Sequence, residues 1–214
     1  MLALLDLDET LVDRRGAFDE WAAALVAEHE LGVGSSAALG DLDTRFPRRD
    51  VFFEKVAERW NLGMPGTALW DDYRRAMPAL TRPFAGVPAA LQRLRLEGWR
   101  LFVVSNGKTD NQTGKLHRAG LAPLLDGWFI SERVGHRKPT PEFYERVFAE
   151  MGGRPAEPVW LVGDNPVDDI EGGRLQGFST VWVSHGRPWT GELAPPSAVR
   201  ESTVAALRHL AAQR

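Results

Sequence analysis

Short apolar runs of strand length, each ended by a polar residue and separated by helix-length stretches, limit most strictly how this 214-residue chain can fold. Leu2–Leu7, Trp99–Val104, Trp128–Ile130, Val159–Val162 and Thr180–Val183 are such runs. They are mostly apolar at successive positions rather than alternate ones, which is the pattern of a strand buried on both faces. Between them lie helical patterns at Pro88–Leu96, Gln112–Ala119 and Pro141–Met151, and a shorter one at Asp169–Gln176. A last helix, Glu201–Ala212, follows the Pro- and Gly-rich stretch from Gly186 to Pro196. Gly98, Gly120 and the pair Gly152–Gly153 stand where helices stop. Doubly buried strands alternating with helices predict an α/β protein with a parallel sheet, covered on both faces and joined by right-handed crossovers.

One stretch breaks the alternation. From Arg14 to Arg82 no strand pattern stands out, and apolar residues recur at helical spacing: Phe18, Trp21, Ala22, Leu25 and Val26; then Phe52, Phe53, Val56, Ala57 and Trp60; then Leu69, Trp70, Tyr73 and Met77. Gly63, Pro65 and Gly66 separate the last two faces. The chain is thus expected to divide into an α/β body, residues 1–13 and 83–214, and an inserted helical domain, residues 14–82.

A net charge of −3 supplies no basic face for nucleic acid or a membrane surface. The absence of cysteine excludes disulfides and thiolate chemistry, and fits a reducing compartment. Asp6 and Asp8 interrupt the first apolar run and no basic segment precedes it, so a secretion signal is not expected. No apolar stretch approaches the ~20 residues of a spanning helix. A cytoplasmic protein, monomer or homodimer, is the expectation.

In open parallel sheets, ligands sit at the carboxyl ends of the strands. Asp6 and Asp8 end the first run. At ~4 Å and an effective dielectric near 20, two such charges repel by roughly 4 kcal/mol, so a proton, a lysine or a metal ion must offset them. Ser105, Asn106 and Gly107 follow the second run, Lys138 follows the third in "GHRKPTPEFY", and Asp164, Asp168 and Asp169 follow the fourth in "GDNPVDD". Each fragment alone has a plainer reading. D-x-D is commonly a turn or helix cap, "SNG" is a good turn, a lysine before proline is usually solvated, and Asp168 suits a cap. Arranged in order, each after its own strand, they predict one cleft holding carboxylates, a lysine and a hydroxyl.

Other signals are weaker. "GKT" at 107–109 lacks the glycine a P-loop needs five residues before Gly107, where Phe102 stands. The histidines, His136 near Lys138 included, show no paired metal spacing. Arg45, Arg48 and Arg49 read as a solvated helix start.

Taken together, "DLDET", "VVSNG", the lysine of "RKP" and "VGDNPVDD" resemble the motifs of the haloacid dehalogenase-like hydrolase superfamily. The resemblance covers nearly the whole chain and is closest to the phosphatase branch with a helical cap between the first two motifs. It implies a Rossmann-like core, an all-helical cap at residues 14–82, and Mg²⁺-dependent hydrolysis of a small phosphorylated metabolite through an aspartyl-phosphate. By that resemblance Asp6 is the nucleophile and Asp8 the general acid and base. Lys138 offsets the acids, and Ser105, Lys138 and N–H groups near Asn106 hold the phosphate. The metal ligands are the Asp6 carboxylate, the Asp8 main-chain carbonyl and the Asp164 carboxylate. Asp169 supports the metal from outside that set, although the choice between Asp168 and Asp169 stays open. Glu9 stands where many relatives have glycine. Dehalogenases of this superfamily lack the second acid, since a departing halide needs no proton, so Asp8 favours a phosphate ester. A haloacid dehalogenase and a phosphate-ligand sensor without turnover are the alternatives. A receiver-type signalling domain would not need the helical insert.

Overall fold

A computed structural model describes residues 1–213 of the chain. It divides into two compact units, Met1–Asp13 with Pro83–Arg214, and Arg14–Arg82. The strands, in chain order, are β1 (Leu2–Leu5), β2 (Val12–Asp13), β3 (Arg82–Pro83), β4 (Arg100–Ser105), β5 (Gly127–Ile130), β6 (Val159–Gly163), β7 (Ser179–Val183) and β8 (Ala198–Arg200).

Six of them form one parallel sheet in the order β5-β4-β1-β6-β7-β8. β1 is central, with Leu2 opposite both Arg100 and Val159, and Leu5 opposite both Val103 and Val162. Successive side chains of a strand point to opposite faces, and the sheet accordingly has two cores. Ala3, Leu5, Leu101, Val103, Val162 and Val181 pack on the side of Leu91, Leu94, Leu207 and Leu210, from the helices Val87–Leu96 and Thr203–Ala211. Leu2, Leu4, Val104 and Leu161 pack on the side of Phe143, Tyr144, Val147 and Phe148, from the helix Pro141–Glu150. Burial on both faces is why these strands read as unbroken apolar runs.

Some boundaries differ from expectation. β1 ends at Leu5 rather than Leu7. The Asp6 N–H still donates to the Val162 carbonyl at 2.9 Å, but the Leu7 carbonyl accepts the N–H groups of Leu11 (2.9 Å) and Val12 (3.1 Å) and turns the chain away. The helix expected at Asp169–Gln176 is a π-wound turn, Pro166–Glu171, running into Gly172–Leu175. β8 was not anticipated, because three residues in a proline-rich approach carry no period. It places Ser202 to cap the last helix, accepting the Ala205 N–H.

The second unit contains the helices Arg14–Glu28, Ser35–Arg45, Arg49–Trp60 and Gly66–Leu80. Its core joins Phe18, Trp21, Phe52, Phe53, Tyr73 and Met77, with Trp21 and Tyr73 edge-to-face at 5.1 Å. The helix Ser35–Arg45 was not foreseen: of its residues only Leu39 and Leu42 contribute large side chains to the core. Arg49 is not a solvated residue as expected. Its Nη1 pairs with buried Asp43 at 2.5 Å, and Arg14 Nη2 meets the same carboxylate at 2.8 Å. Those two guanidiniums hold the Asp43 carboxyl below its usual range against the opposing effect of burial. The short strands β2 and β3 pair as a two-stranded ladder.

Candidate active site

The site grows from the carboxyl edge of the six-stranded sheet. Asp6 follows β1 and is 8% exposed. Lys138 is 1% exposed, and its Nζ donates to Asp6 Oδ1 at 2.7 Å and to Asp169 Oδ1 at 2.6 Å. A buried ammonium needs such partners, since burying a charge unpaired costs several kcal/mol.

Asn106 aims that lysine. Its Oδ1 accepts the Lys138 N–H at 2.9 Å, and its Nδ2 donates to the Lys138 carbonyl at 3.0 Å. The same Nδ2 donates to Asp168 Oδ2 at 3.0 Å. The Asn106 side chain therefore ties three loops together. The Gly107 N–H, in the turn expected to offer amides to phosphate, donates to Ser131 Oγ at 3.0 Å.

Asp164 follows β6. Its carbonyl accepts from Trp182 Nε1 at 2.8 Å and Arg187 Nη2 at 2.9 Å, and its Oδ2 accepts from the same Nη2 at 3.1 Å. Asp169 Oδ2 accepts the Asn165 N–H at 3.1 Å. A Cβ on Gly163 would lie 2.1 Å from that Oδ2, so only glycine leaves room for the Asp169 carboxylate. The next turn is capped by Asn165 Oδ1, which accepts the Val167 and Asp168 N–H groups at 2.9 and 3.0 Å. Of the two neighbouring acids, Asp169 lies with Asp6 and Asp164, and Asp168 pairs with Asn106.

Asp6, Asp164 and Asp169 present carboxylate oxygens within 4.8 Å of one another. Burial, reinforced by Asp169 and Asp8, pushes the Asp6 carboxyl up to about 7 despite the opposing Lys138. Burial and the Asp6 charge push Asp164 up to about 6, and burial also raises Asp169. Burial would lower Lys138, but Asp169 and Asp6 outweigh it and hold the ammonium charged. Three acids thus share too little positive charge, and the donor set is all oxygen. A hard divalent cation such as Mg²⁺ fits that set.

Asp8 lies beside this cluster, 26% exposed at its side chain. Lys115 Nζ donates to both its oxygens, at 2.7 and 2.9 Å, and Gln112 Nε2 donates to Oδ2 at 3.0 Å. The Ser105 hydroxyl oxygen, buried, accepts from Gln112 Nε2 at 2.7 Å. Glu9 has φ 59, the left-handed region where glycine is favoured, and its carbonyl lies 2.7 Å from His185 Nε2. Neither Lys115, Gln112, Asn165 nor Arg187 was singled out in the sequence. The available signal for the first two was their three-residue spacing on one helix face, behind "SNG".

The raised acids make stability pH-dependent in a stated direction. An acid whose folded pKa exceeds its unfolded value binds more protons folded than unfolded, so stability falls as pH rises between those values. Each pKa unit is about 1.4 kcal/mol. Chelator-treated protein is expected to melt at a lower temperature at pH 7.5 than at pH 5.5, with Mg²⁺ restoring more at the higher pH. A chelated melting temperature that is level or rises over that range would contradict the charge balance described.

The chain belongs to the haloacid dehalogenase-like hydrolases, whose family model matches residues 1–177. It is 28% identical over 197 residues to the pyrimidine 5'-nucleotidase PynA of Streptococcus pneumoniae, covering 85% of this chain and 82% of that one. Against three further curated relatives the match spans 43–63% of their length. The crystal structure of the putative HAD-hydrolase YfnB of Bacillus subtilis, bound to magnesium, matches with TM-score 0.85 at 24% identity over 98% of this chain and 97% of that one. An L-2-haloacid dehalogenase from Xanthobacter autotrophicus, with chloropropionic acid covalently bound, shares the fold at TM-score 0.73 and 18% identity, covering 100% of this chain and 99% of that one.

Proposed function

We propose that this hydrolase cleaves the phosphate monoester of a small metabolite, with Asp6 as nucleophile. Asp6 Oδ attacks phosphorus and forms an aspartyl-phosphate as the ester oxygen leaves. Asp8 gives that oxygen its proton, then takes one from the water that releases phosphate. Lys138 holds Asp6 in place and balances charge on the transferring group. Ser105 and the Asn106 loop flank the phosphate position. The Asp6 and Asp164 carboxylates and the Asp8 carbonyl, with Asp169 in support, would hold Mg²⁺, which when bound would supply positive charge between the attacking carboxylate and the phosphate.

The observation that carries this reading is the pair Asp6 and Asp8. One acid is buried against Lys138, and the other, two residues on, stays accessible to solvent. Displacement of a halide uses the first acid and has no task for the second. The nucleotidase named above, a relative over most of its length, also favours a phosphate ester. Residues 14–82, inserted between the first two motifs, act as a cap that selects the substrate.

The test is inorganic phosphate release from a panel of phosphorylated metabolites, with Mg²⁺ and after exhaustive chelation. Release from at least one metabolite, stopped by chelation and restored by Mg²⁺, is expected. Halide release from 2-haloacids without phosphate release would replace this reading with the dehalogenase. Binding of a phosphorylated ligand without turnover would replace it with the sensor.

A further inference from the structure

Lys115 and Gln112 lie outside the four motifs, on the helix Thr109–Arg118, yet both point into the site. We propose that they are positioning residues for Asp8, setting where its carboxylate meets the leaving oxygen. The inference deepens the phosphatase reading and rests on it.

The exposure of the partners is unequal. The Lys115 side chain is 4% exposed and that of Asp8 26%. A buried cation thus grips an accessible acid from behind, on both of its oxygens. Gln112, three residues earlier and so on the same helix face, spans two motifs with one nitrogen, Nε2, reaching Asp8 Oδ2 and Ser105 Oγ. Room for that amide comes from Gly107, φ +154, where an added Cβ would lie 3.0 Å from Gln112 Cγ. The turn after β4 is therefore shaped around Gln112, and Gln112 around Asp8. A carboxylate gripped on both oxygens by Lys115, and on one of them by Gln112, is confined in its rotamer. Proton transfer needs that confinement, because donor and acceptor must come within hydrogen-bond reach.

A purely structural ion pair would cost stability and slow every substrate alike. A positioning pair acts through the proton, so its loss depends on the leaving group. An alkyl alcohol needs a proton to depart and nitrophenolate does not. The experiment is single-turnover cleavage of glycerol phosphate and of p-nitrophenyl phosphate by wild type, Lys115→Met, Lys115→Arg and Gln112→Met.

Lys115→Met is expected to slow the alkyl ester by about 10²-fold, within the range of general acid catalysis, and the first step on the aryl ester less than about fivefold. Lys115→Arg should recover part of the alkyl rate. Gln112→Met should show the same selectivity at smaller amplitude, which keeps the test open if Lys115→Met does not fold. Equal losses on both esters, or none on either, in the variants that fold would overturn the inference while leaving the phosphatase reading intact. Wild type inert on both esters and on the metabolite panel would overturn the two together.

Discussion

Asp6→Asn is expected to remove turnover while sparing the fold. The amide is nearly isosteric with the carboxylate, and its oxygen can still accept the hydrogen bond from Lys138 Nζ. It cannot attack phosphorus. Losing a nucleophile typically costs far more than losing a binding contact, so kcat should fall at least about 10³-fold. Stability should move the other way in chelated protein. The substitution takes one charge from a cluster that holds Asp6 and Asp164 well above their ordinary range. Urea unfolding at pH 7.5 should therefore find the variant at least as stable as wild type. A variant with wild-type turnover would remove Asp6 from the chemistry. A variant much less stable than wild type would mean that the Asp6 carboxylate is held by more than the contacts described.

Lys138→Met carries the largest expected effect on stability. Lys138 is the shared partner of Asp6 and Asp169, both buried. Without the ammonium, two carboxylates face each other with no charge between them. Breaking a buried pair by removing one member typically costs 3–5 kcal/mol, and a loss of about that size is expected at pH 7.5 without metal. The loss should shrink at pH 5.5, where protonation of the raised acids relieves the repulsion. Turnover should vanish at both values. A loss below about 1 kcal/mol at pH 7.5 would show that Lys138 does not balance the cluster.

The sheet was legible because burial on both faces writes strands as unbroken apolar runs, and because β1, β4, β6 and β7 do so. That Asp6, Lys138 and Asp164 gather was legible from their order together, each in the loop region beyond a different strand at the edge where parallel sheets gather their loops. What was not legible depends on side-chain direction. Lys115 and Gln112 look like surface residues of a polar helix, and only the fold turns that face inward. Asp168 and Asp169 differ by one position on a turn wound too widely for an α-helix, so no helical count could separate the partner of Asn106 from the cluster residue. Arg187 lies in a Pro- and Gly-rich stretch with no period, beyond the last recognisable motif. Glu9 stands where the resemblance favours glycine. Its left-handed backbone gives the reason glycine suits that position.

The proposed mechanism passes through a covalent phosphoryl group on Asp6, which acid-quench mass spectrometry of Asp8→Asn would detect. With p-nitrophenyl phosphate and Mg²⁺ the first step proceeds without a proton donor, and the second is slowed for want of a base. One equivalent of nitrophenolate should appear as a burst, and the quenched protein should carry one phosphoryl group on the peptide that contains Asp6. A nitrophenolate burst with the phosphoryl group on another residue, or turnover with none found on any peptide, would contradict the account.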